Sequence, residues 1–249
     1  MAEDAELLRR AEDLRMRCER SSLQTNTHFL TPAEQYKLEK WAMNRADCRM
    51  VITCGIENTD RKPAFFLPDW APDDEPDLSV LSALQITAGF GEPGHRDYLG
   101  AILALGIKRE WLGDIMISGN AAYVLCMETV CDTLLYELDH VGKYGVKLKK
   151  VDLSEVPVPE RKTKSVTFTV QSSRFDTVVS GMFSISRTIA AKMIREGLAS
   201  LNYEECLKPD KEITEGDIIS LRGYGKGKLA VEGGQSRKGR TFLTAEIWM

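Results

Sequence analysis

The sequence predicts an α+β fold in two parts. An N-terminal α+β region of one or two small sheets with helices is followed by a C-terminal module of two short helices on a small sheet. Three observations carry this expectation. Apolar residues switch between helical and strand spacing along the chain as far as Glu155. The proline alternation of Val156-Pro157-Val158-Pro159, running into Glu160-Arg161-Lys162, then breaks the pattern as a linker does. Beyond it the charge reverses: from Arg161 onward fifteen Lys and Arg face ten Asp and Glu, whereas residues 1–160 carry eighteen against twenty-seven.

With 249 residues, 43% hydrophobic and 28% charged, the chain is long enough for two or three domains with real cores. We expect divisions at 1–78, 79–158 and 165–249. No apolar run is long enough to span a bilayer. The start, MAEDAELLRR, is acidic and helical and lacks the features of a signal peptide. A cytoplasmic protein is expected. The six cysteines form no C-x-x-C pair and the three histidines are scattered, so reduced, packed thiols are expected and no metal or cofactor.

Each element has a local cause. Residues 3–20 place Leu7, Leu8, Ala11 and Leu14 at helical spacing. Thr31-Pro32-Ala33-Glu34 reads as an N-cap, a first-turn proline and a capping box, opening a helix through Tyr36, Leu38 and Trp41. Met50–Thr53, Ala64–Leu67 and Ala83–Thr87 read as strands, the last two separated by a polar, Pro-rich loop. Gly94-His95-Arg96-Asp97 leads into a helix that ends at Gly106, with Asp97 a favourable first-turn charge. Asp114–Ile117 and Ala121–Leu125 are strands around a Gly119-Asn120 turn. Glu128–Val141 looks helical, and Gly145–Val151 and Ser165–Gln171 look extended.

The C-terminal module begins at Arg174. Phe175, Val178, Val179 and Met182 form one apolar stripe on a first helix. Ser186 caps a second helix, whose buried face is expected to be Ile189, Ala190, Met193 and Ile194. Its other face carries Thr188, Ala191, Lys192 and Arg195, with Arg187 at its start. Gly197 ends it. Strands are expected at Leu198–Asn202, Ile218–Leu221, Leu229–Val231 and Thr241–Trp248, with a turn at Glu215-Gly216-Asp217. Arginine suits phosphate because its planar fork donates two hydrogen bonds at once. The second helix N-terminus adds backbone donors and a favourable dipole for a phosphate near Ser186 and Arg187. The candidate RNA-binding residues are therefore Arg174, Ser186, Arg187, Lys192, Arg195 and Asn202. Arg222, Lys226, Lys228, Arg237, Lys238 and Arg240, around the Gly-rich turns, extend the set. Asp176 either caps a helix or pairs with Arg187, and Asn202 either satisfies a turn or touches RNA.

The order Arg174-x-Asp176, Ser186-Arg187-x-x-Ala190, Met193-Ile194-x-x-Gly197, Asn202 and Gly216-Asp217-x-Ile219 resembles the S-four domain, the alpha-L RNA-binding fold of ribosomal small-subunit protein four. Phe175, Ala199 and Leu201 replace Leu, Val and Val, and Tyr203 replaces the usual Gly after Asn202. Further forward stand His95-Arg96-Asp97-Tyr98-Leu99-Gly100-Ala101, Leu105-Gly106-Ile107-Lys108-Arg109-Glu110 and Gly113-Asp114-Ile115. With Thr59-Asp60-Arg61-Lys62, Phe65-Phe66-Leu67-Pro68 and the ending Ser220-Leu221-Arg222-Gly223-Tyr224-Gly225-Lys226, these resemble the YlmH family of bacterial ribosome-associated proteins. The resemblance implies a middle RNA-binding domain over 79–158, with Arg96, Lys108 and Arg109 as a candidate second RNA surface. It implies a noncatalytic factor that binds rRNA and peptidyl-tRNA on an obstructed large ribosomal subunit and supports alanine tailing of the stalled chain. Neither DNA nor membrane is an expected partner.

Other readings are weaker. His95-Arg96-Asp97 looks like a kinase catalytic loop, but the Asn expected five residues after Asp97 is Ile102. Gly223-x-Gly225-x-Gly227 follows a strand but opens no helix, so it is no dinucleotide loop. An RNA-modifying enzyme, either a pseudouridine synthase or a methyltransferase, would need a Gly-Arg-Leu-Asp type segment or a Gly-rich first loop, and neither is evident. A cell-division scaffold is the remaining alternative.

Overall fold

The chain folds into two compact units, residues 1–159 and 160–249. The computed structural model describes residues 2–45, 48–72, 75–160, 162–235 and 240–248. Fourteen strands and six α-helices are described, so the α+β expectation holds.

Unit one opens with α1 (Ala2–Ser21), β1 (Thr25–Asn26) and α2 (Pro32–Met43). The expected capping box is present: Thr31 N–H donates to Glu34 Oε2 at 2.7 Å, and Thr31 Oγ1 accepts from Glu34 N–H at 3.3 Å. β2 (Met50–Ile52) and β3 (Ala64–Phe66) complete a sheet of order β1-β3-β2. β3 is buried on both sides. Neighbouring strand residues point to opposite faces, so Phe66 enters one core with Leu38 and Trp41 while Phe65 enters another with Leu84 and Val124.

That second core belongs to β4 (Leu81–Ala88), α3 (His95–Ala104), β5 (Leu112–Ser118), β6 (Ala121–Met127), α4 (Glu128–Glu137), β7 (His140–Val141) and β8 (Tyr144–Val151). The five strands form an antiparallel sheet of order β5-β6-β4-β8-β7. The expected division after residue 78 falls between two sheets that share this core. One correction concerns α4, which stops at Glu137 instead of reaching Val141. His140 and Val141 pair instead with Gly145 and Tyr144 in a tight hairpin, which Gly142 allows by adopting φ +59°. Among the described residues no helix is long and apolar enough to cross a membrane.

Unit two contains β9 (Thr163–Val170), α5 (Phe175–Met182), α6 (Arg187–Arg195), β10 (Ala199–Leu201), β11 (Glu204–Glu205), β12 (Ile218–Leu221), β13 (Gly225–Gln235) and β14 (Thr241–Trp248). Its six strands run β11-β10-β12-β13-β14-β9, all antiparallel. Phe175, Val178, Val179 and Met182 of α5, with Ala190 and Ile194 of α6, pack on Ile219, Leu221, Leu229, Leu243 and Ala245. Three expectations are corrected here. The strand expected at Leu229–Val231 runs from Gly225 to Gln235, because it pairs along both β12 and β14. The strand expected at Leu198–Asn202 is Ala199–Leu201, because Asn202 and Tyr203 turn the chain into β11 with φ of +51° and +70°. Ile189 is 47% exposed, since the first turn of α6 projects past the core, while Ala190 and Ile194 are fully buried.

Candidate nucleic-acid interface

The starts of α5 and α6 are tied together by one buried carboxylate. Asp176, 5% exposed, sits in the first turn of α5. Arg187, the first residue of α6, donates to it through Nε at 3.0 Å and Nη2 at 3.3 Å. Arg174 donates from the other side at 3.3 and 3.4 Å, and Thr177 Oγ1 adds a bond at 3.1 Å. Burial pushes the Asp176 carboxyl up, but the bonds from Arg174, Arg187 and Thr177 outweigh it and hold the group below its ordinary value. Of the two readings left open for Asp176, the structure realises the pairing with Arg187. Each guanidinium uses two of its five N–H donors here, and both side chains remain substantially exposed, 40% for Arg174 and 54% for Arg187. The cluster carries a net positive charge facing solvent.

Along α6 the exposed positions continue through Thr188, Lys192 and Arg195. Lys192 is 74% exposed and stands 3.8 Å from Glu196, a long surface pair of little strength. Ser186 Oγ accepts from the Ile189 N–H at 3.2 Å, so one of the free amides at the helix start is already satisfied by the cap. Gly197 follows α6 with φ +71°, a conformation that a side chain would strain.

The remaining expected residues fall elsewhere on unit two. Asn202 is 8% exposed and works as a clip: Nδ2 donates to Asp217 Oδ1 at 2.7 Å and Oδ1 accepts from Ile218 N–H at 2.8 Å. That is the turn-satisfying reading. Arg222 is exposed in the turn after β12. Lys226 and Lys228 alternate with buried Gly227 and Leu229, so they stand on the sheet face turned away from α5 and α6. Lys226 Nζ lies between two rings, 4.1 Å from the centre of Tyr203 and 4.4 Å from that of Trp248. Arg240 is exposed, and Arg237 and Lys238 lie outside the described residues. The expected set is therefore split between the helix side and the outer sheet face.

In unit one, Arg96 and Lys108 are exposed. Arg109 is turned inward, donating to the carbonyls of Leu112 at 2.7 Å and Gly113 at 3.0 Å. Arg61 reaches the same Leu112 carbonyl at 3.2 Å and that of Phe29 at 2.9 Å. Asp114 accepts from the backbone N–H groups of Asp60 and Arg61, and burial raises its carboxyl. These residues fasten the N-terminal layer to β5. Asp97 accepts from Gly94 N–H at 2.8 Å, a first-turn capping role.

A family model described as "Putative RNA-binding domain in YlmH" matches residues 75–155, the segment that forms the five-stranded sheet with α3 and α4. "Ribosome-associated protein quality control protein P2" of Bacillus subtilis (strain 168) is 31% identical over 221 residues, covering 88% of this chain and 86% of that protein. The chain belongs to the YlmH family. A solved structure, "Cell division protein ylmH from Streptococcus pneumoniae", shares the fold at 20% identity with a TM-score of 0.50, covering 62% of this chain and 94% of its own.

Within this YlmH-family chain, sequence reasoning missed three arrangements. The Arg61–Asp114 fastening has no local signature, because its partners are far apart in sequence. The Tyr203–Lys226–Trp248 sandwich joins three separate segments. Lys147 and Lys149, exposed on β8, were legible as alternate lysines in a strand, but nothing local showed which face of that strand is open.

Proposed function

We propose that this chain is a noncatalytic RNA-binding factor that associates with the ribosome in the cytoplasm. The observation that carries the proposal is the α6 surface, where Arg187, Lys192 and Arg195 project from one short helix whose first arginine is locked to buried Asp176. Structured RNA is recognised largely by shape and by phosphate contacts, which requires cations at fixed positions rather than a catalytic pocket. The RNA-binding description of the matched family domain and the ribosome-associated name of the Bacillus relative support this reading.

The finer proposal follows the family resemblance. Unit two acts as an S-four type module on rRNA and tRNA of a large subunit obstructed by peptidyl-tRNA, and the factor supports alanine tailing of the stalled chain. Arg174, Arg187, Lys192 and Arg195 hold phosphates. Asn202 and Asp176 keep the module in shape, and Arg222 extends the surface. The test is sedimentation of the purified chain with large subunits that carry peptidyl-tRNA and with empty ones. Co-sedimentation favouring the loaded subunits is expected. Failure to sediment with either would end the proposal.

A further inference from the structure

The five-stranded sheet of unit one has a half-face that its helices do not cover. Residues opposite one another in an antiparallel register share a face. Lys150 lies opposite Leu84. Ser82 and Lys150 both bond Glu128, the first residue of α4, so α4 covers the face of Ser82, Leu84 and Lys150. The other face holds Ala83, Gln85 and Thr87 of β4 with their partners Leu125, Tyr123 and Ala121 of β6 and Val151, Lys149 and Lys147 of β8. Its lower part is filled: a Cβ on Gly113 would meet the Phe29 ring at 2.7 Å and Leu125 Cβ at 2.8 Å.

Its upper part is open over β4 and β8, while Met116 of β5, opposite Tyr123, is buried. Lys147 and Lys149 are exposed, and Gln85, Thr87 and Tyr123 are half-buried. Gln85 Nε2 donates to the Tyr123 hydroxyl at 2.9 Å, which fixes the ring against the sheet. No Asp or Glu stands among the described strand residues of this half-face. The two lysines are one pleat repeat apart, roughly 6.6 Å along the strand, close to the step of an extended polynucleotide.

We propose that this half-face binds unpaired RNA nucleotides, with a base stacked on Tyr123 and flanking phosphates held by Lys147 and Lys149. The inference rests on the RNA-binding reading above and gives the middle domain a specific surface and class of ligand. Unpaired bases stack on aromatic side chains whatever their identity, and lysines beside the ring track the backbone. Positive charge with no compensating carboxylate selects a polyanion over an apolar peptide.

The test uses the full chain and two labelled probes, a short oligouridine and a stable RNA hairpin. Tyr123→Ala should weaken oligouridine binding roughly tenfold, and Tyr123→Phe should retain it. The Lys147→Ala/Lys149→Ala double variant should lower the salt slope by about 1.4, or about 0.7 for each lost contact to a single strand. Hairpin binding should survive in these variants and weaken in Lys192→Ala/Arg195→Ala. Should Tyr123→Ala not fold, the double lysine variant decides, since both side chains are exposed. Unchanged oligouridine binding in the half-face variants would overturn this inference and leave the RNA-binding reading standing. Loss of a nuclease-resistant protein partner in the same variants, with oligouridine binding intact, would also overturn it. Absence of any RNA binding by the unaltered chain would remove the broader reading first.

Discussion

Arg187 grips Asp176 with a two-pronged bond, Nε to Oδ2 at 3.0 Å and Nη2 to Oδ1 at 3.3 Å, joining the first turn of α6 to the first turn of α5. The carboxylate is buried while the guanidinium is half-exposed. One residue therefore serves the interior of unit two and its surface together. Replacing Asp176 by Ala should destabilise unit two by about 2 kcal/mol: the exposed arginines regain water, so the loss stays below that of a fully buried pair. Denaturant unfolding of the full chain measures this, and an unchanged midpoint for unit two would contradict it.

The same pairing sets an acid limit. Asp176 titrates below its ordinary value of 3.8 in the folded chain. A depressed carboxyl stabilises the fold fully above the unfolded value, and the contribution is lost as pH falls through the folded one. Between roughly pH 5 and pH 2, Asp176→Asn should show a shallower fall in unit-two stability than the unaltered chain. Parallel pH profiles would show that the carboxylate is not linked to folding.

Asn202 adopts φ +51° and closes its turn through Asp217 and Ile218. Asn202→Ala removes both side-chain bonds and places an alanine in the left-handed region, a combined loss of about 2–4 kcal/mol. Thermal unfolding should show that loss, while RNA affinity measured well below the transition should change little. Weaker affinity without lost stability would instead mark Asn202 as a contact residue.

Gly113 lies where β5 meets the N-terminal layer. A methyl group there would press on Phe29 and on Leu125 Cβ, the latter anchored directly to the backbone of β6. Gly113→Ala should destabilise unit one by about 1–3 kcal/mol. Unaltered unfolding of unit one would mean that the two layers can separate freely.

How legible the sequence is depends on how local each cause is. The Thr31–Glu34 capping box and the α5 stripe are visible because their partners lie within a few residues. Ile189 is misread because the stripe continues to the helix start whereas the core beneath it does not. Phe65 and Phe66 look like an ordinary apolar pair, and only the tertiary structure shows one facing each core. The candidate site divides similarly. Lys192 and Arg195 stand exposed on α6 as helical spacing implies, and Gly197 ends that helix. Arg109, an exposed cation by composition, turns inward because carbonyls left between β5 and the N-terminal layer need donors.

The central claim is that the α6 face holds RNA through phosphates, and the salt dependence of binding tests it most directly. Affinity for a structured rRNA fragment should be followed against salt for the unaltered chain and for Lys192→Ala/Arg195→Ala, which leaves the Asp176–Arg187 bond in place. The double variant should bind more weakly, with a logarithmic slope reduced by about 1.8, or about 0.9 for each lost phosphate contact. Two lines of equal slope and equal affinity would remove α6 from the RNA surface.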